Sequence, residues 1–210
     1  MGCLMYSAEE EVINSVTHFL SAILSILFTF LIILTIESGI EKKVPIIIMG
    51  LSGAWTFLSS YMYHSSKTQT QTIRNRMVDK SSIYTMIAGN GISICLLSST
   101  SLASIVCCIL LILISSLLTA NFCLNVSVTE TFTLTSYLLL GWLAVIPASG
   151  LFIPSNFTEI PQLICLLGGG AAYSLGVIFY ISEKKWYHSI WHGFTMLGFG
   201  LHFVGCYLCL

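Results

Sequence analysis

The chain has 210 residues, 56% of them hydrophobic and only 8% charged, with a mean hydropathy of +0.91. A soluble domain carries about a quarter of its residues as Asp, Glu, Lys or Arg, so this composition excludes one and assigns the chain to the membrane. The formal net charge of −1 leaves no basic surface for nucleic acid, so no nucleic-acid partner is expected.

Crossing about 30 Å of hydrocarbon takes roughly 20 residues of helix. The sequence offers seven such runs, at about 14 to 36, 46 to 64, 79 to 98, 101 to 119, 132 to 149, 161 to 181 and 188 to 209. The expectation is an all-α fold, a seven-transmembrane-helix bundle forming a single domain over residues 1 to 210. Glu9, Glu10 and Glu11 precede the first run where a signal peptide would be basic, and the run is too long for a signal core, so it reads as a retained helix. Only Ser98-Ser99-Thr100-Ser101 separates the third run from the fourth, which predicts a tight helical hairpin. Pro147, Pro154 and Pro161 mark the exit of the fifth run, an outer loop and the first turn of the sixth.

Small residues recur in the last two runs. Gly168-Gly169-Gly170-Ala171-Ala172, Ser174 and Gly176 in the sixth, and Gly193, Gly198, Gly200 and Gly205 in the seventh, predict surfaces on which helix backbones approach closely. Of the eight cysteines, Cys95, Cys107, Cys108, Cys165, Cys206 and Cys209 lie inside apolar runs and read as small hydrophobes. Adjacent Cys107 and Cys108 lack a second pair at zinc-site spacing, so a cysteine metal site is discounted.

Basic residues set the orientation. With the N-terminus inside, cytoplasmic loops hold Lys67, Arg74, Arg76, Lys80, Lys184 and Lys185 against Lys42 and Lys43 outside. The chain is therefore expected in the cell (plasma) membrane, N-terminus cytoplasmic and C-terminus outside.

Ionisable residues in spanning helices are costly and are functional candidates by default. His188 and His192, four residues apart at the start of the seventh run, share one helix face at a spacing that lets two imidazoles reach one ion. Zinc takes neutral imidazole well, and three protein ligands with an open position make a catalytic site. The competing reading of such a pair is two amphipathic rings at the membrane interface. The topology weighs against it: His18, His64, Asp79, His188 and His192 all fall at the cytoplasmic end, whereas interfacial rings would scatter over both faces.

His64, which closes the second run, completes a three-histidine set. Asp79, the chain's only aspartate, is read either as a direct ligand or as the group that holds and deprotonates a water; its structural alternative is a helix N-cap. Ser60, one turn before His64, orients that ring or the water, or else bonds back to its own helix. Glu11, Asn14 and His18 share a face and are expected to line the site. His202, about 15 Å along the helix from His192, is read as a hydrogen-bonded packing residue or part of a cavity lining.

Four stretches carry a resemblance: Glu11-Val12-Ile13-Asn14-Ser15-Val16-Thr17-His18; Ser60-x-x-x-His64; Asp79-Lys80-Ser81-Ser82-Ile83-Tyr84 on to Ile87-Ala88-Gly89; and His188-x-x-x-His192. In this order they resemble the hemolysin III family, grouped with the progestin and adipoQ receptors and with membrane hydrolases that include the alkaline ceramidases. The resemblance covers nearly the whole chain. It implies a seven-helix fold, zinc held by His64, His188 and His192, and Asp79 close to the reacting water. The pattern departs after Gly89, where Asn90-Gly91-Ile92 replaces a Thr-Tyr-Thr-Pro type of continuation, and with it the expected shape of the substrate cavity.

These readings lead to zinc-dependent hydrolysis of a lipid amide or ester, with a membrane lipid as substrate or ligand and Asp79 as general base. Two rivals stand beside it: a pore-forming or cytolytic protein, and a receptor whose zinc site is structural.

Overall fold

In the computed structural model, residues 6–98, 101–124, 128–144 and 160–210 are described, and among them the chain forms seven helices and no strand. These are α1 (Ala8–Thr35), α2 (Ile40–His64), α3 (Gln69–Ser98), α4 (Leu102–Cys123), α5 (Glu130–Leu143), α6 (Ile160–Tyr180) and α7 (Tyr187–Tyr207). Five of them, α1, α2, α3, α4 and α6, are long and apolar enough to cross a membrane. The described part of α5 has 14 residues, and polar His, Ser and Thr positions moderate the hydropathy of α7. The chain is an all-α, multi-pass membrane protein.

Burial in α1 is inverted relative to a soluble helix. Its buried stripe is Glu10, Asn14, His18, Ser21, Ala22, Ser25 and Thr29, while Phe19, Leu20, Ile23, Leu27, Phe30 and Leu34 face outward. Steps of three and four residues keep the small and polar set on one face. Water would make that arrangement untenable; lipid solvates the outer face and leaves the polar groups to bond within the protein. Ser25 Oγ donates to the Gly50 carbonyl of α2 at 2.8 Å, Thr56 Oγ1 to the Ser82 carbonyl of α3 at 2.8 Å, and Ser93 Oγ to the Pro45 carbonyl at 2.6 Å.

The helices run past the apolar runs wherever caps and polar loops allow it. α1 begins at Ala8 because Ser7 and Glu10 form a reciprocal capping box, which satisfies two otherwise unpaired amides. α3 begins at Gln69, ten residues before Asp79, because helix continues through polar sequence beyond the hydrocarbon. α2 takes in Pro45 at its sixth position, where the ring leaves out one backbone hydrogen bond without ending the helix. The end of α3 at Ser98 and the start of α4 at Leu102 agree with two packed helices rather than one long one. Residues 99–100, Pro147, Pro154 and the end of the fifth run lie outside the described residues.

Sequential neighbours pack on one another from α1 to α4, α6 pairs with α7, and α7 also meets α1, α2 and α3. One core, built around Ile46, Met49, Phe57, Met86, Phe199 and Phe203, joins α2, α3 and α7; a second, built around Tyr84, Cys107, Leu111 and Leu140, joins α3 to α4 and α5. Seven cysteines among the described residues are free thiols, in line with their reading as small hydrophobes.

The glycine stripes are only partly contact surfaces. A Cβ on Gly169 would run into the His202 ring, and one on Gly198 into the Tyr173 ring, so this pair sets how closely α6 and α7 approach. Gly193 and Gly200 meet nothing within 4 Å. They do not pack helices as the sequence spacing suggested; the helical period turns them away from α6.

Candidate metal centre

The starts of α1, α3 and α7 and the end of α2 meet at one end of the bundle. Two contacts tie α1 to α7 there. Glu10 accepts the Trp186 backbone N–H at 2.6 Å through Oε1, while its Oε2 takes the Ser7 N–H and hydroxyl at 3.0 and 2.7 Å. Asn14 accepts the Ser189 hydroxyl at 2.7 Å. Trp186 enters α7 with φ of 70°, the one non-glycine positive φ among the described residues. A left-handed residue of this kind costs roughly 1–2 kcal/mol, and the Glu10 bond holds it there, two residues before His188.

Around this junction His64, His188 and His192 bring their ring nitrogens together, with one ligand atom from each lying within 4.8 Å of the others. His188 Nε2 is 3.3 Å from His64 Nε2 and 3.1 Å from His192 Nε2. An imidazole nitrogen carries either one hydrogen or one lone pair, so hydrogen bonding between rings does not account for both contacts at full strength. A shared cation does. Zinc–nitrogen bonds of about 2.0–2.1 Å in a tetrahedron put ligand nitrogens about 3.3 Å apart, close to the spacings here. The residues therefore fit a zinc-sized ion.

The outward nitrogens reinforce the fit. His64 Nδ1 lies 2.6 Å from Glu11 Oε2 and His188 Nδ1 lies 3.0 Å from the Tyr6 hydroxyl. The Glu11 carboxylate favours hydrogen on His64 Nδ1 and a lone pair on its Nε2, pointing inward, while the Tyr6 hydroxyl, able to donate or accept, fixes the orientation of the His188 ring. Burial pushes the Tyr6 hydroxyl well above its ordinary range, so it stays neutral; its ring also stacks on His188, centroids 4.3 Å apart. His192 is held by stacking on His18, at 3.8 Å between centroids and 16° between planes.

The other expected residues take distinct positions. Asp79 lies outside the compact histidine cluster, in the wall of a cavity of about 110 Å³ that His18, His188 and His192 also line. The Ser60 hydroxyl donates to its carboxylate. Asp79 is not a helix N-cap, because α3 is already ten residues old at that point. Glu11 does more than line the site, since it holds His64; Asn14 holds Ser189; His18 is buried beside the cluster with neither ring nitrogen hydrogen-bonded. His202 bonds the Leu166 carbonyl at 3.1 Å and lines the far part of the cavity.

Tyr6 and Glu10 were not singled out from sequence. The Ser7-x-x-Glu10 capping box was the available signal, because it starts α1 just after Tyr6 and so places both at the histidine end.

No solved structure matches the chain. Sequence comparison does. The chain is 32% identical over 200 residues to "Hemolysin-3 homolog" of Bacillus subtilis (strain 168), covering 92% of this chain and 91% of that protein. It is 30% identical over 203 residues to "Hemolysin-3" of Bacillus cereus, covering 93% and 89% respectively. The family model described as "Haemolysin-III related" matches residues 6–203, the span that holds all seven helix starts, the three histidines and Asp79, and the chain belongs to that family.

Proposed function

We propose that the chain is a zinc-dependent membrane hydrolase that cleaves a lipid amide or ester. The observation that carries this reading is the inward convergence of His64, His188 and His192 nitrogens beside a cavity that also takes in Asp79. A zinc ion held by these three would polarise a lipid carbonyl and make water acidic enough to attack it at neutral pH. The protein's own part is positional and protolytic. Glu11 keeps His64 in the ligating tautomer, Tyr6 holds the His188 ring in place, and Ser60 fixes the Asp79 carboxylate. Asp79 takes the proton of the attacking water and returns it to the departing amine or alcohol. The apolar walls of the cavity, among them Met86, Ile87, Leu134 and Val177, suit an acyl chain that never leaves the bilayer.

The site faces the cytoplasm of the cell (plasma) membrane, because the basic loops lie at the histidine end. The test is zinc content and lipid turnover on one preparation of Asp79→Asn. Turnover falls about 100- to 10,000-fold while zinc stays bound. Unchanged turnover retires Asp79 as base, and loss of zinc makes it a ligand. The relatives' name, hemolysin, supports a second reading as a cytolytic protein. Ion leak from reconstituted vesicles without lipid turnover would favour it.

A further inference from the structure

The far part of the cavity is polar in a place where the lipid reading alone asks only for hydrocarbon. Asn90 of α3, His202 of α7 and Tyr173 of α6 all line it. Asn90 and His202 are 5% and 7% exposed, and Asn90 Oδ1 and His202 Nδ1 have no hydrogen-bond partner. Such atoms are costly to bury unless a donor reaches them.

The surrounding bonds say which chemistry is wanted. His202 Nε2 lies 3.1 Å from the Leu166 carbonyl, which accepts only, so Nε2 carries the hydrogen and Nδ1 presents a lone pair. Asn90 Nδ2 donates to the Tyr173 hydroxyl at 3.3 Å, which leaves Asn90 Oδ1 as an acceptor and the Tyr173 hydrogen free to donate. A ligand hydroxyl answers this set by giving its one hydrogen to Asn90 Oδ1 or His202 Nδ1 and a lone pair to the Tyr173 hydrogen. Gly169 gives the His202 ring its place, because a Cβ there would overlap it.

Depth is set by the helices. His202 lies ten residues from His192 on α7, and Asn90 lies eleven from Asp79 on α3. Both separations correspond to about 15–17 Å along a helix, so the two side chains reach the same level below the metal centre.

We infer that Asn90, Tyr173 and His202 form a second polar subsite that binds a hydroxyl carried on the acyl chain of the ligand, about 15 Å from the group held at the histidines. This rests on the reading of the cavity as an acyl-chain site and adds specificity to it: a hydroxylated chain is selected over a plain one.

Direct binding of radiolabelled octadecanoic acid and 12-hydroxyoctadecanoic acid to the purified full chain in detergent tests the subsite without any turnover. The hydroxy acid binds about tenfold more tightly, the worth of roughly one buried hydrogen bond. Asn90→Leu and the nearly isosteric Tyr173→Phe each remove most of that preference and leave affinity for octadecanoic acid within about twofold. Equal affinities for the two acids in the unaltered protein, with both binding, overturn the hydroxyl subsite and leave the acyl cavity standing. So does a preference that survives in both variants. Binding of neither acid overturns the acyl cavity and the subsite together.

Discussion

At the level of single residues, the chemistry depends on which ring nitrogen each histidine points inward. Glu11 decides this for His64, and Tyr6 holds the His188 ring in its orientation by hydrogen bond and stacking. Partners of this kind typically account for 10- to 100-fold in metal affinity, so Glu11→Gln, which keeps an acceptor but not the charge, should weaken zinc binding by up to that range in a competition titration with a chelator. Full removal of a ligand is harsher. His192→Ala should reduce zinc in purified protein to a small fraction of one equivalent, whereas His202→Ala, some 15 Å away, should leave the metal content unchanged. Equal zinc in the two variants would dismiss the three-histidine arrangement. The residue types and their spacing were visible in the sequence. The partners were not, since Tyr6 and His188 are 182 positions apart and Glu11 and His64 are 53 apart.

At the scale of elements, the close fit of α6 on α7 rests on particular glycines rather than on glycine content. Gly169 faces the His202 ring and the Gly198 carbonyl, while Gly200 meets nothing within 4 Å. The same substitution should therefore have opposite signs at the two positions. Gly169→Ala forces the helices apart or His202 out of place, with an expected loss of about 1–3 kcal/mol that outweighs the gain in helix propensity. Gly200→Ala gains up to about 1 kcal/mol by restricting the unfolded chain. Thermal unfolding of both variants in one detergent checks the pair, and a loss at both positions would mean the packing face has been misassigned. Both glycines stand in similar small-residue patterns, so composition alone cannot separate them; the rotations of α6 and α7 about their axes do.

For the whole molecule, alternation of seven helices brings the starts of α1, α3 and α7 and the end of α2 together, and the other end is closed by Lys42 and Gln162 bonding to the Leu210 and Leu208 carbonyls. The basic loops predict that the histidine end faces the cytoplasm. A single cysteine at residue 70, in a chain stripped of its own thiols, should react with a membrane-impermeant reagent only after the membrane is opened from the cytoplasmic side. Labelling of intact cells would reverse the orientation and move the site to the outer face.

The sequence by itself determined that the chain lives in a membrane, that it offers seven helical runs, matched by seven helices among the described residues, and that three histidines and the one aspartate belong to the same end. Those conclusions follow from hydropathy over segments as long as the bilayer is thick and from the parity of crossings, both properties of the chain read in order. It also carried the family resemblance that the family match over residues 6–203 bears out. Only the tertiary structure decided that the three histidine nitrogens lie 3.1 and 3.3 Å apart in sequence of contact, that Asp79 stands beside them with Ser60 rather than among them, and that Asn90 and His202 line the same cavity. Each of these depends on the rotation of one helix against another, and a helix of given sequence can present the same polar stripe at many rotations. Packing selects one, through contacts such as Gly169 on His202 and Glu10 on Trp186 that join residues far apart in the chain.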